Sequence, residues 1–296
     1  MQSIRQNSIH LFKLAGVDLY LHWSWFLVAA YEIESRKGQY SSIIWNVFEY
    51  LALFAIVLTH EFGHAMACRQ VGGTANQIVL WPLGGVAYVN PPQRPGATLW
   101  SIAAGPLVNV ALVPVLYFAM SVSQQMTPDI NTLAQAVFGI NVVLLAFNIL
   151  PIYPLDGGQI LRSLLWFVIG RARSLMVATV LGFAGVFGFV CLAVLERSLW
   201  MGAVAAFMLM NCWSGLKHAR ELLKADKLPR RPGYACPSCR TAPPLGGYWQ
   251  CSQCGVPFDT FETGAVCTHC GARFDATTCL DCGVRSQMSD WMSGSR

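Results

Sequence analysis

The segment 59–65 contains two histidines four positions apart, with a glutamate directly after the first. In a helix, His60 and His64 lie one turn apart on one face, so both imidazoles can reach one metal ion. Glu61 then lies close enough to hold a water molecule at that metal, as metal-assisted hydrolysis requires. The string alone occurs by chance in many proteins, and a polar cluster that only joins helices is the alternative interpretation.

The surroundings of this segment favour the metal site. The segment ends a long apolar window, and an ionisable side chain at the centre of a membrane costs about 2.5 to 3.5 kcal/mol on insertion scales. Three such side chains within one turn therefore indicate a function.

A catalytic zinc needs a third protein ligand and an open position, and Asp156 is the candidate. Two prolines interrupt the chain just before Asp156 and two glycines follow it, which frees the backbone to turn the carboxylate inward. The second and fourth apolar windows run in the same direction through a membrane, so the two half-sites can meet. An ordinary acidic residue in a turn is the alternative for Asp156.

The composition places these residues in a membrane protein. Of the 296 residues, 54% are hydrophobic and 12% are charged, against roughly 25% charged in a soluble domain. A net charge of +5 is too small for a chain whose main partner is nucleic acid. Charged residues more than double in density after residue 216, and eight of the eleven cysteines lie there. We therefore expect a membrane body followed by an aqueous tail.

The apolar windows predict a mainly α protein, a polytopic membrane helix bundle of about six spans. A span needs about 20 mostly apolar residues. A sixth window begins at His22 and runs into Glu32 and Glu34, so five spans is the fallback. The five clear windows are 43–67, 98–122, 133–151, 175–195 and 199–216.

The distribution of lysine and arginine predicts the orientation of this multi-pass cell-membrane protein. One side carries most of these residues in short loops, and the other side carries only Arg36, Lys37 and Arg197. Because basic loops stay in the cytoplasm, six spans would place both termini there. The tail would then lie in a reducing compartment, where paired cysteines bind metal more often than they form disulfides.

Two segments among the spans alternate like small interfacial β-hairpins. One surrounds Ala15 and Gly16, and the other covers residues 77–89. Because strands cannot face lipid with open edges, they either lie at the interface or pair with each other and with something else. An extended substrate that adds to the 77–89 hairpin would satisfy its backbone groups as it unwinds. A hairpin that merely packs under the helices is an equal alternative.

The tail carries four Cys-x2-Cys knuckles, each of which supplies half of a four-cysteine zinc site. Two structural zinc ions are therefore expected in addition to one catalytic ion. Sequential ribbons would join the first two knuckles and the last two, whereas a crossed arrangement would join the inner pair and the outer pair. The knuckles are Cys236/Cys239, Cys251/Cys254, Cys267/Cys270 and Cys279/Cys282.

The predicted domains are a membrane domain with the candidate catalytic zinc site over 1–224, a linker over 225–234, a small double zinc-ribbon domain over 235–284 and a C-terminal tail over 285–296. Basic residues are sparse within the ribbons, so a protein partner is favoured over nucleic acid. Residues 217–231 are basic enough to lie against anionic membrane lipid instead.

Residues 8–216 resemble the site-2 protease family of intramembrane zinc metalloproteases. The resemblance is carried by the His60 segment, by Gly105-Pro106-Leu107-Val108-Asn109, and by the segment 148–158. It implies that His60, His64 and Asp156 hold zinc and that Glu61 is the catalytic carboxylate. It also implies that Asn148 contacts the substrate backbone or the developing oxyanion, and that the substrate is a membrane-anchored protein. The segments 22–25 and 81–85 look similar to the family less specifically.

Two other functions compete with proteolysis. A non-catalytic membrane adaptor would keep zinc for structure and recruit partners through the tail, but it would not need Glu61. A metal transporter or sensor would repeat ligands along several spans instead of one compact set. Exchange of Glu61 for glutamine separates the three, because only proteolysis depends on that carboxylate.

Overall fold

Two hairpins near the start of the chain join into one four-stranded sheet. In a computed structural model that describes residues 8–81 and 84–293, the order is β1-β2-β3-β4, and β2 runs parallel to β3. Both predicted hairpins are confirmed, and they pair with each other. Pro82 and Leu83, part of the family-like segment 81–85, lie outside the described residues. The strands are β1 (Ser8–Leu14), β2 (Val17–His22), β3 (Thr74–Trp81) and β4 (Gly84–Asn90).

Helices form the rest of the membrane domain, and five of them are long and apolar enough to cross a membrane. These five match the five clear windows, which confirms a multi-pass helical protein. The described helices of this region are α1 (Trp25–Ser35), α2 (Ile43–Gln70), α3 (Pro95–Ser123), α4 (Pro128–Ile149), α5 (Asp156–Ile169), α6 (Arg171–Leu195) and α7 (Leu199–Asp226). Of these, α1 and α5 are too short to be candidate spans.

The window that begins at His22 is not a full span. Its helix α1 has 11 residues and rises about 16 Å, roughly half the thickness of the hydrocarbon. The first residue of α1 and the residue just after its end contact the same part of α2: the Tyr50 hydroxyl donates to the Trp25 carbonyl at 3.1 Å, and Arg36 pairs with Glu49 at 2.7 Å. Residues 8–81 and 84–293 therefore contain five helices long enough to span a membrane, the lower of the two expected numbers.

The sheet packs along α2 and supports the half of that helix that carries the histidines. Val17, Leu19, Ile78 and Leu80 are buried against one side of α2. On another side α3 approaches so closely that a Cβ at Gly63 would lie 2.8 Å from the Ala104 carbonyl oxygen. The histidine turn is therefore held between a sheet and a neighbouring helix.

The cysteine-rich tail forms a separate small core with little regular structure. Cysteines from all four knuckles surround aromatic side chains, of which Trp249, Phe258, Phe261 and Trp291 are buried. Residues after 284, assigned by the sequence to a terminal tail, pack onto this core through Trp291. The described elements are β5 (Trp249–Gln250), β6 (Pro257–Phe258), β7 (Ala276–Thr278), β8 (Arg285–Gln287) and α8 (Met288–Ser293).

Candidate active site and metal clusters

His60, His64 and Asp156 meet inside the membrane domain. The two histidines occupy successive turns of α2 and are buried, with 4% and 7% of their surface exposed. Asp156 is the first residue of α5, 96 positions along the chain from His60. Its Oδ2 lies 3.1 Å from His60 Nε2 and 3.3 Å from His64 Nε2, and the two Nε2 atoms are 3.1 Å apart. The structure therefore brings the histidine turn of α2 and the start of α5 together, as the sequence predicts.

These three distances fit one tetrahedral metal ion. Nitrogen and oxygen ligands bind zinc at about 2.0 to 2.2 Å, which places tetrahedral ligand atoms roughly 3.3 to 3.6 Å from each other. The observed separations lie at or just below the short end of that range. Two imidazoles and one carboxylate are also a donor set that zinc prefers in catalytic sites. The residues present thus fit a zinc ion with one position left for water or substrate.

Each imidazole is held from behind through its second nitrogen. His64 Nδ1 lies 2.9 Å from the backbone carbonyl oxygen of Ser101, and His60 Nδ1 lies 2.5 Å from Asn109 Oδ1. Both partners belong to α3. Metal-binding histidines typically make such contacts, because they fix the ring and its tautomer.

Gly105 lets α3 pass directly beside the two rings. A Cβ built at this position would lie 2.3 Å from His64 Nε2 and 2.8 Å from His60 Nε2, whereas real Cβ atoms essentially never approach within 3.0 Å. Glycine is therefore the residue that leaves room for the ligand atoms here. This explains one part of the segment 105–109 that the sequence could attribute only to a family resemblance.

A tight loop brings Asp156 to the histidines. Helix α4 ends at Ile149, and α5 begins six residues after Leu150, following a loop that contains Pro151 and Pro154. Gly157 and Gly158 pack against the backbone of this loop, where any Cβ would lie 2.2 to 2.3 Å from backbone atoms. The prediction that prolines and glycines turn Asp156 inward agrees with this arrangement.

Glu61 and Asn148 lie in the elements that carry the ligands. Glu61 is buried on α2, next to His60, with 6% of its surface exposed. Asn148 lies half-buried in the last turn of α4, and no described residue donates to or accepts from its amide. Their catalytic roles stay predictions.

The eight cysteines form two separate clusters. Cys236 Sγ lies 3.6 Å from Cys282 Sγ, and Cys239 Sγ lies 3.7 Å from Cys279 Sγ. The inner knuckles meet in the same way, with 3.6 Å between Cys251 and Cys270 and 3.7 Å between Cys254 and Cys267. Four thiolates at about 2.3 Å from zinc would be about 3.8 Å apart, so both clusters fit zinc. The knuckles pair in the crossed arrangement, outer with outer and inner with inner.

The outer cluster lies against the membrane domain through the knuckle that contains Asp281. Arg230 pairs with the Asp281 carboxylate at 2.7 Å, and this pairing raises the pKa of Arg230. The same guanidinium reaches the last turn of α7 at Ala225. Arg171, at the start of α6, donates to the Asp281 backbone carbonyl. The tail is thereby fixed to the start of α6 and the end of α7.

Sequence reasoning did not find Ser101 and Asn109 as supports of the histidines. Ser101, Gly105 and Asn109 recur every four residues, which places them on one face of α3. This row of small and polar residues on an otherwise apolar helix is the feature of the sequence that could have identified them.

The chain is similar to zinc metalloproteases of known sequence. A profile of peptidase family M50 matches residues 48–130 and 119–192. A zinc metalloprotease of Methanocaldococcus jannaschii is 34% identical over 177 residues, which are 59% of this chain and 50% of that protein. Stage IV sporulation protein FB of Bacillus subtilis is 32% identical over 119 residues, 38% of each chain. The chain thus spans half or less of the length of these two relatives.

A solved structure gives the same result for the fold. The site-2 protease from Methanocaldococcus jannaschii superposes with a TM-score of 0.52 and 28% identity, covering 71% of this chain and 95% of that one. The region matched by the M50 profile contains His60, His64 and Asp156. From the profile, the relatives and the shared fold together, we conclude that this multi-pass membrane chain belongs to peptidase family M50, the site-2 proteases.

Proposed function

We propose that the protein is an intramembrane zinc endopeptidase that hydrolyses peptide bonds in or near the transmembrane segments of membrane-anchored proteins. The observation that carries the proposal is the cluster of three ligand atoms within 3.3 Å of one another, inside an apolar helix bundle. A purely structural site would not need a buried carboxylate beside the first histidine, and Glu61 provides one.

The chain's own residues supply the proton transfers and the substrate contacts. A zinc ion bound at this site would polarise the scissile carbonyl and lower the pKa of a water molecule from about 15.7 to about 7. Glu61 accepts a proton from the attacking water and passes it to the leaving amine. The Asn148 amide, which has no partner among the described residues, is available to donate to the developing negative oxygen.

Exchange of Glu61 for glutamine tests this function. We expect cleavage to fall by a factor of about 10² to 10⁴, because general acid-base catalysis typically contributes that much. The three metal ligands are unchanged, so zinc content should stay at the wild-type level. The measurement compares membrane proteomes of cells that carry either form, and looks for a protein that accumulates uncut only with the variant. Identical proteomes with equal zinc would favour the non-catalytic adaptor.

The free edge of the sheet supports a mode of substrate binding. In the order β1-β2-β3-β4, β4 pairs with β3, and no other strand of the described residues pairs with it, so an extended segment can add to its other side. A helical substrate must unwind before its carbonyls can be attacked, and strand addition would satisfy the freed backbone groups. We propose that the scissile segment adds to β4 in this way.

A proline at Val86 of β4 is expected to lower cleavage about tenfold, since one or two lost backbone hydrogen bonds cost about 1 kcal/mol each. Val86 is a better position than Val79, because Val79 lies in the central strand β3 and pairs on both sides. The matched control is a proline at Leu11, in the bulge of the opposite edge strand β1. Cleavage of a purified membrane substrate, with zinc content measured in parallel, checks the prediction; equal loss in both variants would contradict a specific role for β4.

The orientation and the tail partner complete the proposal. The tail contacts Arg171 at the start of α6 and follows the end of α7, so these helix ends and the tail lie on one side of the domain. The basic short loops predict that this side is cytoplasmic. Five spans alone would put the two termini on opposite sides, but the hairpin of β1 and β2 pairs with β3, which directly follows the end of α2 on the same side as the end of α7. We propose that both termini are cytoplasmic and that the ribbons contact a protein partner or substrate, with residues 217–231 near anionic lipid.

A further inference from the structure

A chain of hydrogen bonds links the ligand His60 to helix α4 through two buried asparagines. Asn109 Oδ1 lies 2.5 Å from His60 Nδ1, and Asn109 Nδ2 lies 2.8 Å from Asn141 Oδ1. Asn141 Nδ2 in turn lies 3.0 Å from the backbone carbonyl oxygen of Asn109. Both asparagine side chains are fully buried, so water cannot replace any of these contacts.

The last of these contacts determines the direction of all the others. A backbone carbonyl can only accept, so the group of Asn141 that faces it must be the NH2 group. Asn141 Oδ1 therefore faces Asn109 and accepts from the Asn109 NH2 group. This leaves the Asn109 oxygen facing His60, where it also can only accept.

The consequence is a single state of the His60 ring. Because Asn109 offers an acceptor, the hydrogen of the neutral imidazole must be on Nδ1, and the lone pair is on Nε2. Nε2 is the atom that lies 3.1 Å from both His64 Nε2 and Asp156 Oδ2. The asparagine pair thus holds the ring with its electron pair facing the other two ligand atoms.

We infer that Asn109 is a positioning residue that fixes the tautomer and orientation of His60 for metal binding, and that Asn141 holds Asn109 in the orientation this requires. The inference rests on the proposed function. It gives Asn109 a role different from that of an oxyanion donor, since its oxygen faces a ligand ring and its NH2 group bonds α4. It also explains why an asparagine follows Gly105 by one helical turn.

The test measures zinc affinity of the full-length protein in detergent by competition with a chelator. The ion at this site is defined as the one that a His64→Ala variant fails to bind, which separates it from the two cysteine clusters. Asn109→Leu is expected to weaken that affinity by about 10- to 100-fold, the usual effect of losing a partner of a ligating histidine. Asn109→Asp keeps an accepting oxygen beside His60 and should bind zinc more tightly than Asn109→Leu, although its second oxygen faces Asn141 Oδ1 and loses that hydrogen bond.

Two control variants separate positioning from simple helix packing. Asn141→Leu removes the contacts between α3 and α4 but leaves the acceptor for His60, so its loss of affinity should be smaller than that of Asn109→Leu. Asn46→Leu removes a third buried asparagine, which lies in the part of α2 far from the site and donates to the Arg36 carbonyl. This variant should leave the zinc affinity unchanged.

One set of results would contradict the inference about Asn109, and another would contradict the proposed metal site. If wild-type and Asn109→Leu proteins hold the ion equally tightly, or if Asn141→Leu and Asn109→Leu weaken it equally and aspartate fails to rescue, the inference is wrong. If wild-type and His64→Ala proteins bind the same number of zinc ions, the metal site of the proposed function is itself wrong.

Discussion

Replacement of Gly105 by alanine is expected to abolish metal binding at the histidine-aspartate site while both cysteine clusters stay loaded. The added methyl carbon would lie 2.3 Å from His64 Nε2 and 2.5 Å from its Cε1, so the ring has to move away. Zinc ligands are held within about 0.2 Å of their preferred distance of 2.0 to 2.2 Å, and a ring displaced by most of an ångström no longer binds. Zinc content of the purified protein should therefore fall by one ion per chain, and cleavage should fall to background.

The control for this substitution is alanine at Gly139 of α4. A Cβ at Gly139 would meet nothing within 4 Å, so this variant makes the same chemical change in an apolar helix without a steric conflict. It should keep all bound zinc and gain up to about 1 kcal/mol of helix stability, because alanine is favoured over glycine within helices. If the Gly105 variant retained full zinc content and activity, the arrangement of α3 against the histidines would be wrong.

The meeting of the site residues could be predicted because it follows from two regular features of the chain. Helical spacing puts His60 and His64 on one face, and two parallel apolar helices carry the histidines and Asp156 to the same side. The structure has these three residues within hydrogen-bonding distance of one another. The supports of the rings were not predicted, since backbone contacts such as that of Ser101 depend on how α2 and α3 pack.

Hydropathy alone did not determine whether the window after His22 forms a full membrane span. The window after His22 is apolar enough to be taken for part of a span, but strand β2 continues through His22 and α1 has only 11 residues. Trp25 and Val28 of α1 pack into the same core as strands β2 and β3, so the sheet covers part of the apolar surface of α2. Pairing between β2 and β3 joins segments more than 50 residues apart, and local periodicity contains no information about it.

The pairing of the cysteine knuckles was also left open by the sequence, for an energetic reason. Closing a longer loop costs only about 0.6 kcal/mol for each doubling of its length, so neither arrangement is excluded by chain entropy. The aromatic core decides between them. Phe261 meets Tyr234 and Trp291 edge to face, at centroid distances of 5.1 and 4.9 Å, which brings the two ends of the tail together beside the outer cluster.

Two variants that each lose two knuckles are expected to lose different numbers of zinc ions, in the pattern that the crossed pairing predicts. Changing Cys236, Cys239, Cys279 and Cys282 to alanine deletes one complete cluster, so the protein should lose one zinc ion. Changing Cys236, Cys239, Cys251 and Cys254 to alanine leaves two ligands in each cluster, so both ions should be lost. Sequential ribbons predict the reverse result for the same two variants.

The two variants should also differ strongly in the stability of the tail. A structural zinc contributes about 10 to 16 kcal/mol in small domains, more than this aromatic core can replace. The first variant keeps the inner cluster, whose knuckles are close in the chain and are each closed by local backbone bonds, Cys251 N–H to the Val256 carbonyl in one and Cys267 N–H to the Ala272 carbonyl in the other. Residues 251–271 should then stay protected from protease while the rest of the tail is cut. In the second variant the whole tail should be digested, and the membrane domain, which holds its own ion, should remain intact in both. Equal zinc loss in the two variants would contradict the crossed arrangement.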